Sequence, residues 1–106
     1  MVLAKDVYKV TCQGEFGKDW GLRNQIQRAV VSIPSNIAEG FERSSTQELR
    51  HYLNIAKGSA GEVRTQLTLA RNVGYLQPFQ AEIMLILCVE VSRMLEAYKQ
   101  NVNRKK

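Results

Sequence analysis

The chain is poor in everything that interrupts or cross-links a fold. Its 106 residues include two prolines, seven glycines, two cysteines and one histidine. So few breakers exclude a sandwich or barrel of many short strands, which needs turn residues at close intervals, and favour long regular elements. Cys12 and Cys88 stand far apart and cannot make the dense disulfide framework of a small secreted domain. They read as free thiols, Cys88 as a small core residue. His51 has no cysteine or carboxylate at ligand spacing, so no metal site and no cofactor is expected. GxSxG, Walker, HExxH and paired CxxC motifs are all missing. With no convergent nucleophile, acid–base pair or metal, no catalytic residue is assigned and the chain is read as not an enzyme. The longest apolar run, Ile83 to Val89, falls far short of the roughly 20 residues of a membrane span. The amino terminus, MVLAKDVYK, lacks the apolar core of a signal peptide. Both point to a cytoplasmic protein with no membrane partner.

What is present is amphipathic periodicity. Residues 1–106 suffice for one domain with a modest core. Residues 2–12 read as a short helix carrying Val2, Leu3, Val7, Tyr8 and Val10, and Gln13 to Lys18 reads as a loop. Asp19 is the expected N-cap of a second helix over 19–42, where Leu22, Ile26, Ala29, Val30, Ile33, Ile37 and Phe41 recur with the helical period. Ser45-Thr46-Gln47-Glu48 is a capping-box pattern opening a third helix over 46–73. Its stripe comprises Leu49, Tyr52, Leu53, Ala56, Ala60, Val63, Leu67 and Ala70. Within it, Gly58 to Gly61 (GSAG) suggests close approach of another backbone. Gly74 is the stop signal and Pro78 starts a fourth helix over 78–102. That helix has two apolar stripes: Ile83, Leu87, Met94 and Tyr98, and Met84, Leu85, Cys88, Val91 and Leu95. A helix apolar around so much of its girth predicts a partner subunit, with Ile83, Leu87, Val91, Met94 and Leu95 as the oligomer interface. The fold expected is all-α, an antiparallel up-down four-helix bundle with a short first helix.

Two polar features remain. At about 100° per residue, Arg28, Ser32, Asn36, Glu39 and Arg43 share a second face of the 19–42 helix, and Pro34 lies among them. Proline removes an N–H, so a bend is expected there, with Ser32, Ser35 and Asn36 satisfying freed backbone groups and Glu39–Arg43 holding the helix end. Ser32, Pro34, Asn36, Glu39 and Arg43 are therefore read as a structural kink and polar cluster. On the third helix Arg50, Lys57, Arg64 and Arg71 recur every seven residues, a stripe of positive charge with no acid of that helix among them. With a net charge of +5, this is the footprint expected for a phosphate backbone. Arg28 and the terminal Arg104, Lys105 and Lys106 complete the expected nucleic-acid contacts.

Several blocks are shared with a known family: Gly21-Leu22, Gln25-Ile26, Arg28-Ala29, SIPSNIAEG (Ser32 to Gly40), Arg43-Ser44, Glu48, Tyr52-Leu53, Ile55-Ala56, Gly58-Ser59, Glu62, Thr65-Gln66-Leu67 and Gly74-Tyr75. Over roughly residues 4–100 the chain resembles the bacterial 23S ribosomal RNA intervening-sequence proteins. The resemblance implies a four-helix protomer assembling as a ring-like homopentamer that is non-enzymatic, with RNA as a partner. A related branch serves as accessory protein of diversity-generating retroelements, which makes a reverse-transcriptase adaptor the alternative expectation. The chain departs from the family at its start: Met1 stands where the first helix is usually half complete, and Glu15-Phe16-Gly17 replaces the usual Phe-Pro. Apolar surface of the later helices is therefore expected to lie uncovered.

Overall fold

The computed structural model describes residues 1–104, with side chains through Val102. Lys105 and Lys106 lie outside the described residues, as does the side chain of Arg104. The described chain is all-α, with helices α1 (Val2–Thr11), α2 (Gly14–Lys18), α3 (Trp20–Phe41), α4 (Thr46–Asn72) and α5 (Pro78–Arg104). The sequence reading missed α2, taking its two glycines for a loop. Gly14 adopts φ +53 and lets the chain turn straight into the short helix, while Phe16 drops into the core with no exposed surface.

The helix ends are set by the residues the pattern pointed to. Asp19 Oδ1 accepts from the Leu22 N–H at 3.1 Å, and Ser45 Oγ accepts from the Glu48 N–H at 3.0 Å. The reciprocal half of the capping box is replaced, because Glu48 Oε1 accepts from the Ser45 hydroxyl. At the end of α4, Gly74 (φ +86) donates to the Arg71 carbonyl and Tyr75 to that of Ala70, the paired bonds of a Schellman stop.

The three long helices lie side by side in an elongated bundle of 48 × 22 × 18 Å. Between them Ile26, Val30, Ile33, Leu53, Ala56, Val63, Leu67, Met84 and Cys88 are buried. Burial pushes the Cys88 thiol up to about 11, so it behaves as a small apolar core residue. α1 packs against α3 and α5 through Leu3 and Val7. At 1.5 Å per residue its 10 residues reach about 15 Å along a neighbour, α5, of about 40 Å. Beyond it lies an apolar cleft of about 470 Å³ lined by Met1, Pro34, Ile37, Phe41, Met94 and Tyr98. Phe41 and Tyr98, expected in the core, are instead half exposed and meet edge to face at 5.4 Å. They had been placed by period alone, and the packing of α3 against α5 leaves about half of each side chain uncovered.

The glycines of the GSAG stretch do not meet another backbone within the protomer. A Cβ on Gly58 or Gly61 would meet nothing within 4 Å; Ser59 and Ala60 are the buried members. The close approach occurs at Gly40, where a Cβ would lie 3.0 Å from Leu49 Cδ1 and 3.1 Å from Tyr52 Cβ. There the end of α3 crosses the start of α4.

Candidate functional site

The kink residues form two separate knots. α3 runs through Pro34 without a break. Asn36 Nδ2 donates to the Ser32 carbonyl at 2.8 Å and to Ser32 Oγ at 2.9 Å, and Ser59 of α4 donates its hydroxyl to the same Oγ at 2.8 Å. The carbonyl that Asn36 satisfies is therefore that of Ser32, and the knot also pins α3 to α4. One and two turns further, Arg43 pairs with Glu39, donates to Tyr52 Oη at 3.0 Å, and has Glu48 at 3.9 Å. Both knots spend their polar groups on the fold, and neither sets a base beside a nucleophile.

The basic stripe runs along the α4/α5 seam, where α5 brings acids to it. Lys57 Nζ lies 2.8 Å from Glu96 Oε1, which also holds Lys99 at 3.2 Å. Reading one helix face at a time leaves out the neighbouring helix, which is why the stripe looked acid-free. Lys57 is thereby committed to the fold, and Arg50 is half buried at the head of the stripe. Arg64 and Arg71 line a groove of about 440 Å³ together with Glu82, Glu90 and Arg93. Arg93 was missed because it joins the stripe only once α5 is docked. Arg64, Arg71 and Arg93 form no ion pair among the described residues. Arg28 stands apart on α3, in a polar cleft with Ser32, Ser59, Glu62 and Gln66.

The Glu96 cluster makes a prediction of its own. Lys57 first, then Gln100 and Lys99, hold the Glu96 carboxyl down to about 2, against an ordinary value of 4.5. Its folded pKa lies below its unfolded one. Its stabilising contribution is therefore complete above pH 4.5 and disappears as the pH falls toward 2. In a carboxyl-carbon NMR titration Glu96 should titrate near 2, and Lys57→Gln should move that midpoint upward. An ordinary midpoint in the wild type would mean the cluster does not form in solution.

The outer face of α5 is the most exposed apolar surface. Phe79, Ile83, Ile86, Met94 and Tyr98 fall within about 120° of arc, and Phe79 and Met94 are 75% and 69% exposed. The opposite arc, with Ala81, Met84, Cys88 and Leu95, is buried against the bundle. Of the expected interface residues, Ile83 and Met94 face outward and Leu87 and Val91 are half covered. Leu95, only 6% exposed, belongs to the chain's own core. Among the described residues no helix is long and apolar enough to cross a membrane.

No curated protein gives a significant match to the chain. Among solved structures it is similar to a protein of unknown function from the S23 ribosomal protein family of Bacteroides thetaiotaomicron. The TM-score is 0.82 at 26% sequence identity, over 92% of this chain and 89% of that one. The profile of the 23S rRNA-intervening sequence proteins matches residues 1–97. With SIPSNIAEG knotted to α4 through Ser59 and the bundle superposing on a solved relative, the chain belongs to the 23S rRNA-intervening sequence protein family.

Proposed function

We propose that this protein is a non-catalytic cytoplasmic scaffold that assembles with copies of itself, five in a ring on the family resemblance, and binds structured RNA through its basic groove. The observation that carries the reading is the exposed apolar arc on the outer face of α5, Phe79, Ile83 and Ile86 at one end and Met94 and Tyr98 at the other, with Glu90 between the two groups. An exposed patch of that length on so small a domain needs a cover, and a second copy of α5 offers the same pattern in return. Around a ring, the groove bearing Arg64, Arg71 and Arg93 repeats once per copy. Contacts that are weak singly then act together through a high effective concentration. Few aromatic side chains lie near the groove, so the phosphate backbone and the shape of the RNA would supply most of the affinity.

The test couples mass to binding. In light-scattering chromatography at moderate salt, the wild type should run as a multimer that shifts with a structured ribosomal RNA fragment. The Arg64/Arg71/Arg93→Gln variant should keep the multimer mass and lose the shift. Affinity should fall at least tenfold between about 0.05 and 0.2 M salt; an unchanged affinity would overturn RNA binding. A multimer indifferent to RNA would favour the alternative, an adaptor for a protein partner such as a reverse transcriptase.

A further inference from the structure

The polar cleft between α3 and α4 has the Ser32–Ser59 bond of the first knot in its wall and shares no lining residue with the basic groove or the apolar arc of α5. It encloses about 420 Å³ and is lined by Gln25, Arg28, Ser32, Ser59, Glu62 and Gln66, a volume in the range of small-ligand sites. Its polar groups are incompletely spent. Gln66 Oε1 is buried and accepts no hydrogen bond, an expense a fold rarely carries without a use. Ser32 Oγ accepts from both Ser59 and Asn36, and its own O–H finds no acceptor among the described residues. On the rim, Arg28 from α3 and Glu62 from α4 have no partner, in each other or elsewhere among the described residues. An ammonium or a phosphate would answer only one of these two charges.

A neutral ligand can answer both at once if its edge carries N–H donors for Glu62 beside an acceptor for Arg28. A carboxylate accepts through two parallel oxygens, and a guanidinium only donates. Adenine, cytosine and uracil each lack a pair of adjacent ring and exocyclic N–H donors on the pairing edge. Guanine has that pair, N1–H and the N2 amine, next to the O6 acceptor. Its second N2 hydrogen or a ribose hydroxyl is left for Gln66 Oε1. We infer that the α3/α4 cleft is a guanine-reading site, taking an unpaired guanine splayed from the RNA. The inference deepens the RNA reading and rests on it. The basic groove supplies affinity without sequence, and the cleft adds selection for one base, which RNA-binding proteins achieve on unstacked bases of loops and bulges.

Fluorescence anisotropy with two hairpin RNAs, identical except for guanine or adenine as the single unpaired loop base, tests this. Wild type should prefer the guanine hairpin by about tenfold, the scale of one good paired contact. Glu62→Gln should bind both hairpins with the adenine-hairpin affinity while keeping its multimer mass and salt dependence. Glu62 is exposed, so the fold should be unaffected, which far-UV circular dichroism checks. Equal binding of both hairpins by the wild type, or a preference surviving in Glu62→Gln, would overturn the guanine site and leave the RNA reading intact. Should neither hairpin bind, the RNA reading falls and a titration with free guanosine monophosphate decides the cleft. Movement of the Gln25 and Gln66 side-chain amide resonances in wild type alone would sustain it for a free nucleotide, and no movement would overturn it.

Discussion

Ile83→Glu combined with Met94→Glu should turn the proposed assembly into monomers without unfolding them. Both side chains lie on the outward arc of α5, Ile83 43% and Met94 69% exposed in the isolated chain. Their replacement removes nothing from the core formed by Met84, Cys88 and Leu95. In a copy-to-copy interface, however, each glutamate must be stripped of water against an apolar surface. Burying an unpaired carboxylate costs several kcal/mol even after the surroundings relax, and each copy would bring two. The expected result in light scattering is the mass of one 12.0 kDa chain at concentrations where the wild type is a multimer. The variant monomer should melt cooperatively with native helix content. A multimer of unchanged mass would show that copies meet through another face, and the exposed stripe would then be a docking surface for a different protein. Leu95→Glu cannot serve as this test, because that side chain is already inside the protomer and the substitution would disrupt the bundle itself.

Much of the bundle was legible because its signals are local. The caps Asp19 and Ser45, the stop at Gly74 and Pro78 at the head of α5 each act through backbone groups a few residues away, so sequence spacing suffices to read them. Errors fell where a neighbouring element decides. Gly58 and Gly61 looked like the point of closest packing, but packing depends on which side of α4 faces α3. That side holds Ser59 and Ala60, and the glycine under constraint is Gly40 at the helix end. The basic stripe was correct as a helix face and incomplete as a surface, since Glu96 and Arg93 arrive from α5. The α3/α4 cleft was half visible: Arg28 and Ser32 were singled out on α3, while Glu62 and Gln66 stood only among the blocks shared with the family and had no role until α4 was laid beside α3. Burial periodicity says which residues a helix hides and is silent about which helix hides them.

Phe16→Ala should be the most damaging single truncation near the start of the chain. A five-residue helix has almost no stability of its own, so α2 exists because Phe16 is held by the rest of the protein. The ring has no exposed surface and stacks on Tyr75 at 5.5 Å between centroids. Tyr75 in turn donates its hydroxyl to Asp19 Oδ2 at 2.9 Å, and Asp19 Oδ1 caps α3. One side chain thus ties α2 to the α4–α5 connection and, through Asp19, to the first turn of α3. Those bonds, the Leu22 N–H first and the Tyr75 hydroxyl second, hold the Asp19 carboxyl below its usual range, while the same carboxylate raises the Tyr75 phenol. Removing a fully buried phenyl ring costs about 3–5 kcal/mol, a large share of the roughly 5–15 kcal/mol that holds a domain of this size together. In urea titrations the extrapolated stability should fall by that amount and the midpoint by that amount divided by the unchanged slope. In NMR the Tyr75–Asp19 pair should loosen together with the α3 amino terminus, whereas the α4/α5 seam around Lys57 and Glu96 stays intact. A loss below about 1 kcal/mol, within reach of an ordinary surface substitution, would mean that α2 is an ornament of the loop and that α1 is anchored by Leu3 and Val7 alone.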